Sequence, residues 1–229
     1  MTKWNQLEKM KNLKIESGSQ IILIASTGGS KSTLVASLVV NAPSLVAIDT
    51  KGQLEFPNTV VIDLPSIDDK TFIRVLDNAI FDNARVILRP HILDVETMEV
   101  YDQIFFRIYA REDTVVWIDE IGAIAKTSTV FPKWLAGCSN RGRTRGITLF
   151  TCSQAPYGQL PMCLRRNSTF TIFGVLMPTD VENLPYPDID ATLDIEIKSG
   201  KFVIYETGYK GARSLYVPIP KELKDWSAP

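Results

Sequence analysis

The stretch "LIASTGGSKSTLVASLVV", residues 23–40, decides how the chain is read. An apolar run gives way to small residues, then Lys31-Ser32-Thr33, then a segment suited to a helix. That rhythm is close to the phosphate-binding spelling G-x-x-x-x-G-K-[ST]. Here, however, Ala25 and Ser30 occupy both glycine positions, and Gly28 and Gly29 supply the backbone freedom. The physical requirement is a strand end that turns sharply, presenting backbone N–H groups and a helix N-terminus to anionic oxygens. "ASTGGSKST" meets it. A left-handed Ser30 would cost roughly 1 kcal/mol, which is small beside several charge-assisted bonds to a triphosphate. Ser26, Thr27, Gly28, Gly29, Ser30, Lys31, Ser32 and Thr33 are therefore candidate ATP-binding residues. Lys31 can reach the β- and γ-phosphates, and Ser32 can offer its hydroxyl to Mg²⁺. A plain Gly/Ser turn ahead of an ordinary helix is the competing reading.

Outward from the loop, the chain alternates apolar runs with helical patterns. Residues 20–26, 45–52, 59–64, 84–90, 114–122, 147–154 and 168–176 read as strands. Most are continuous apolar runs, as expected of strands covered on both faces. Residues 31–40, 67–82 and 94–113 read as helices, with Asp68 as the cap of the second, and a short helix is expected near Trp134. Strand–helix alternation of this kind implies an α/β fold with a mostly parallel central sheet flanked by helices. Trp4, Leu7, Met10 and Leu13 suggest a short amphipathic N-terminal helix within residues 1–19. Residues 200–229 hold a C-terminal β-hairpin and tail, with the turn near "TGYKGA". At 229 residues and without an internal repeat, residues 1–229 are expected to form one domain.

Composition narrows the chemistry. Three cysteines, Cys138, Cys152 and Cys163, lack metal-ligand spacing and fit a reducing compartment. A single histidine, His91, leaves little material for a His-based metal site or a Ser-His-Asp triad, and it reads as structural. A formal net charge of −1 gives no general affinity for nucleic acid, so such contact would depend on local patches or on a ring. No apolar run approaches the ~20 residues that span a bilayer.

"TVVWIDEIG", residues 114–122, ends an apolar strand on two carboxylates. Asp119 is positioned to hold the hydration shell of Mg²⁺, and Glu120 to polarise an attacking water. Two solvated acids leaving a sheet would look the same in isolation. The phosphate loop upstream favours hydrolysis.

Taken together, these segments resemble the FtsK/HerA superfamily of P-loop ATPases, which pump nucleic acid. "ASTGGSKST" stands near that family's phosphate loop, and "AIDTKG" is similar to its second-strand ending, with Thr50 in place of proline. "VVWIDEIG" matches its acidic strand end. "GRTRGITLFTCSQAP" resembles its Gly-Arg-x-x-Gly, strand and Gln-x-Pro run, through Gly142, Arg143, Gly146, Ser153, Gln154 and Pro156. "LPMCLRRNSTFTIFGVL" resembles its closing helix and strand. The resemblance implies a RecA-like P-loop NTPase core, ATP and Mg²⁺ as cofactors, and a hexameric or similar ring of identical subunits acting on double-stranded DNA.

Compactness points within that superfamily to the genome-packaging ATPases of icosahedral viruses with an internal membrane. Such a motor would meet capsid-vertex or internal-membrane proteins, in the host cytoplasm or at the virion vertex. A cytoplasmic plasmid or cellular DNA pump is the alternative.

Gln154 would lie beside the acidic strand, where its amide can sense the γ-phosphate or orient water. The resemblance also implies an arginine finger, for which Arg143 and Arg145 are the first candidates and Arg165 and Arg166 the second, with Arg141 nearby. Contact with DNA phosphates is a competing role for this basic segment. Lys51 could touch nucleotide, line a pore or pair with a neighbouring acid. Phe131 and Trp134 fit packing better than DNA contact. A small-molecule kinase and a non-hydrolysing assembly protein are the remaining functional classes.

Overall fold

A computed structural model describes residues 15–26, 31–91, 97–155, 158, 160–176, 184, 201–207, 213–216 and 223. Within them, nine strands form one sheet in the order β3-β4-β2-β5-β6-β1-β7-β8-β9. The strands are β1 (Gln20–Ile24), β2 (Leu45–Ile48), β3 (Val60–Asp63), β4 (Arg85–Arg89) and β5 (Val115–Ile118). They continue with β6 (Thr148–Ser153), β7 (Phe170–Phe173), β8 (Lys201–Glu206) and β9 (Arg213–Tyr216). From β3 through to β7 every neighbouring pair is parallel. The C-terminal hairpin β8–β9 then adds antiparallel to β7, as its alternating sequence predicts. The N-terminal helix expected around Trp4 to Leu13 lies outside the described residues.

Period-two alternation sorts each strand between two cores. Ile22, Ile24, Val46, Ile48, Val116 and Ile118 face one side, beneath helices α2 (Phe72–Phe81), α3 (Thr97–Arg111), α4 (Lys133–Arg141) and α5 (Met162–Asn167). Ile21, Leu23, Leu45, Ala47 and Trp117 face the other, packed with Leu34, Val35 and Val39 of helix α1 (Lys31–Val39). Burial on both faces is what makes the central strands continuous in hydrophobicity. Trp117 is fully buried and meets the edge of Phe56 at 5.9 Å between ring centroids.

Two expectations are corrected locally, and the basic segment acquires a defined structure. β3 is an exposed edge strand, because it pairs with β4 alone and carries Val60 and Val61 outward. Helix α2 is entered through Thr71, not Asp68. The carboxylate of the next residue, Asp69, accepts from the Thr71 backbone N–H and hydroxyl, both at 2.7 Å, and so fixes the turn. The basic "NRGRTRG" segment is not an open loop. Arg141 ends α4, and Gly142–Arg145 form a 3₁₀ turn closed by Gly146.

That closure needs glycine. Gly146 has φ +70°, and a Cβ there would fall 2.0 Å from Asp113 Oδ1. Gly146→Ala is expected to lower unfolding free energy by roughly 1–3 kcal/mol through left-handed strain and the clash, as read from chemical denaturation. An unchanged midpoint would show that the turn adapts without cost.

Candidate active site at the C-terminal strand ends

β1 ends at Ile24, and α1 begins at Lys31. Between them, Ala25 and Ser26 are described, whereas Thr27, Gly28, Gly29 and Ser30 lie outside the described residues. Ala25 is buried, and its N–H donates to Ser153 O at 3.1 Å. It is not among the positive-φ residues, so the first glycine position of the usual spelling accepts a Cβ here without left-handed strain. Ser26 turns the other way, donating its N–H and hydroxyl to Val175 O at 2.7 and 3.0 Å. The loop entrance is thus held between the exits of β6 and β7.

Lys31 starts α1 with only 9% of its surface exposed. Its ammonium donates to the carbonyl of Ala25 and, at 3.1 Å, to that of Ser26. Burial pushes this ammonium below its ordinary pKa. Cys152, Glu120 and Asp119 oppose the shift, and Lys51 adds to it. Ser32 Oγ donates to Asp119 Oδ1 at 3.4 Å, joining the first turn of α1 to the end of β5. Thr33 is half-buried in that turn, where its carbonyl accepts from Ser37 Oγ at 2.9 Å.

The acidic strand end is two strands away from the loop strand, with β6 between them. Ser32 nevertheless reaches Asp119 from the first turn of α1, so the expected pairing of loop and acidic strand end occurs through that contact. Asp119 and Glu120 are 6% and 8% exposed. Burial raises the Asp119 pKa. Asp49 and Glu120 add to the rise, while Lys51 and the Ser32 hydrogen bond oppose it. Glu120 is extended and caps the 3₁₀ turn Ile121–Ala123, with Oε1 accepting from Gly122 N at 3.3 Å. Its other oxygen, Oε2, is buried with no hydrogen-bond partner.

A buried carboxylate oxygen without a donor is costly unless a ligand or cation completes it. The oxygen donors Ser32 and Asp119 suit Mg²⁺, which commonly takes one or two protein oxygens and fills its octahedron with phosphate and water. Among the described residues no cluster of three or more His, Cys, Asp or Glu could cage a metal by itself. These residues therefore fit a cation brought in with a phosphate ligand.

Gln154 follows β6 directly and is exposed at the same sheet end, between the loop strand and the acidic strand. Asp49, at the β2 tip, is committed to structure. Its Oδ2 accepts from Leu54 N at 2.7 Å and Arg89 Nε at 3.0 Å, and Oδ1 accepts from Lys51 N at 3.2 Å. The Arg89 brace was missed in sequence, although an arginine ending the buried strand "RVILR" was its signal.

The arginines lie elsewhere. Gly142–Arg145 precede β6, and Arg165 and Arg166 end α5 just before β7, so all sit at the N-terminal ends of the strands. Within one subunit they are a sheet-length from Lys31. Arg145 is bound to Glu112 at 2.6 Å and to Tyr109 O at 2.9 Å, and it stacks on the Tyr109 ring at 4.4 Å. Arg143 is exposed. Phe131 and Trp134 pack against the core, with Trp134 also touching Phe106 and Tyr109.

With this geometry in view, likeness to solved structures is informative. The genome-packaging NTPase B204 of Sulfolobus turreted icosahedral virus 2, in complex with sulfate, superposes with TM-score 0.68 at 13% identity. That match covers 89% of this chain and 98% of the other. The bacterial conjugative coupling protein TrwBΔN70 matches with TM-score 0.60 at 10% identity, over 95% of this chain and 92% of that one. The pCW3 conjugation coupling protein TcpA matches with TM-score 0.55 at 15% identity, over 91% of this chain and 64% of that one.

The fold is that of a RecA-like P-loop NTPase. The FtsK/HerA resemblance read from five sequence segments agrees with these neighbours at the level of fold. B204 has been captured with AMPPCP and with ATP-gammaS. No protein-family model matches the chain, and no curated protein sequence does.

The burial of Asp119 carries a stability consequence. Its carboxyl pKa is raised on folding, so between the ordinary value of 3.8 and the raised one the native state binds more protons than the unfolded state. Stability contributed by this group therefore falls as pH rises through that window, and the penalty is complete above it. Without nucleotide, Asp119→Asn is expected to raise the thermal midpoint at pH 7, with the gain fading as the pH falls through that window and gone by about pH 4. A lower midpoint at neutral pH would contradict this.

Proposed function

We propose that this chain is an ATP-driven translocase of double-stranded DNA, working as a ring of identical subunits, and that its task is viral genome packaging. The carrying observation is the buried, unpartnered Glu120 Oε2 beside the Ser32–Asp119 contact, at the sheet end that Lys31 also reaches. In this reading residues 1–229 form one ATPase domain. Similarity running through nearly the whole length of a packaging NTPase supports the packaging task. The match to conjugative coupling proteins favours a plasmid DNA pump as the second reading.

Ser26 to Thr33 would cradle the triphosphate, with helix α1 directing its N-terminal N–H groups at phosphate oxygens. Lys31 would exchange its carbonyl partners for phosphate oxygens. Ser32 and Asp119 would hold Mg²⁺, which when bound supplies charge neutralisation across the β- and γ-phosphates. Glu120 Oε2, free of protein donors, would accept a hydrogen bond from water and orient it toward the terminal phosphorus. Gln154 would report whether the γ-phosphate is present.

No helix among the described residues is long and apolar enough to cross a membrane. Capsid-vertex or internal-membrane proteins are the proposed docking partners.

ATP turnover measured with and without duplex DNA, over a range of protein concentrations, tests the reading. Turnover should rise with both, and Glu120→Gln should lower kcat by about 10²-fold or more while ATP binding persists. A rate indifferent to DNA and to concentration would remove the motor, leaving a nucleotide-binding assembly protein.

For a ring, the N-terminal strand ends of one subunit must meet the nucleotide of the next. Arg143 is the finger in this proposal, because Arg145 is already engaged by Glu112 and Tyr109. Arg143→Ala should lower turnover by about 10³-fold with an unchanged melting midpoint. Arg145→Ala should cost about 1 kcal/mol of stability through the lost ion pair and ring contact. The reverse pattern would reassign the finger.

A further inference from the structure

The β2 tip carries a lysine that the proposed mechanism leaves unused. β2 pairs in parallel with β5, Ile48 opposite Ile118, so Asp49 and Asp119 leave the sheet side by side. Two residues on, Lys51 is exposed, and its backbone N–H is tied to Asp49 Oδ1 at 3.2 Å. Gly52 follows with φ +69°, turning the chain sharply after the lysine. The nearest acid at this tip is already satisfied, since Asp49 takes Arg89 at 3.0 Å. Among the described residues the Lys51 ammonium joins no ion pair.

Along the C-terminal edge of the sheet the order is therefore Lys51 on β2, Asp119 and Glu120 on β5, Gln154 on β6, and Lys31 after β1. Two lysines flank the carboxylates from opposite sides. Thr50 Oγ1, beside Lys51 and 5% exposed as a residue, is a second buried polar atom without a partner at this end, alongside Glu120 Oε2. Lys31 and one divalent cation together supply less positive charge than a bound triphosphate carries negative. The phosphate farthest from the β1 loop would carry that excess on the side facing β2.

We infer that Lys51 binds the terminal phosphate of the nucleotide from the β2 side, opposite Lys31, and so makes the site discriminate triphosphate from diphosphate. This rests on the ATPase reading of the same site. Lys51 acts in it as a substrate-binding group, with Asp49 and Arg89 as positioning residues that hold its turn.

Equilibrium binding of AMPPCP and of ADP, each with Mg²⁺, to the intact chain and to Lys51→Met and Lys51→Arg tests the inference. Lys51→Met should weaken AMPPCP about tenfold and ADP by less than about twofold, as the loss of one charge-assisted contact to the γ-phosphate requires. Lys51→Arg should recover most of the difference, and all three proteins should melt alike. Equal losses for both nucleotides, or none, would overturn the inference. So would a variant that loses only duplex DNA binding, which would make Lys51 a pore residue. Wild-type protein that binds neither nucleotide would remove the ATPase reading itself, a failure visible before any variant is compared.

Discussion

Lys31, Asp119 and Glu120 bring one cation and two acids into a region with little access to water. Such groups are tolerated in a buried setting only when they offset one another or await a charged ligand. Here they meet through the 3.4 Å contact from Ser32 to Asp119, across the tip of β6. The rest of the fold serves that meeting. The parallel sheet brings all the relevant strand ends to one edge, and α1 carries Lys31 and Ser32 over it. Covered faces leave the ends of the strands as the places where polar chemistry can be sited.

Stability and chemistry pull in opposite directions at this edge. Burial disfavours the charged forms of both Lys31 and Asp119, and Glu120 keeps one oxygen without a donor. The surroundings are correspondingly firm. Asp49 and Arg89 lock the β2 and β4 exits together, and Ser26 is pinned to Val175 beyond β7. The opposite edge is built differently. There buried Gln20 and Ser139, bonded in turn to the exposed Asn167, tie the start of β1 to the ends of α4 and α5, and Arg141, Arg143, Arg165 and Arg166 stand exposed. The first edge buries Lys31, Asp119 and Glu120, whereas the second displays four arginines.

Much of the fold was legible in residues 20–26, 45–52 and 114–122, because short continuous apolar runs ending in polar residues suit strands covered on both faces. The hairpin was legible from its alternation. The cap of α2 was not, since only the backbone path makes Thr71 the cap and selects Asp69 over its neighbour Asp68 to brace the turn before it. Nor was the exposure of β3, whose Val-Val-Ile reads like a core strand and sits at the edge only because of the strand order. The Asp49–Arg89 brace joins the tips of β2 and β4; the sequence shows an arginine ending β4 but not which acid it meets, because only the sheet order sets the two tips together.

The amino-acid sequence by itself determined the kind of fold and the chemical types at its strand ends. Hydrophobic period and residue chemistry are local properties, read within a few residues of each other. Strand order, by contrast, is a property of the packed sheet. Only the tertiary structure set β6 between the loop strand and the acidic strand, committed Asp49 to Arg89, and separated the arginines from Lys31 by the length of the sheet. Each depends on which distant segments share an edge, and long-range packing decides that.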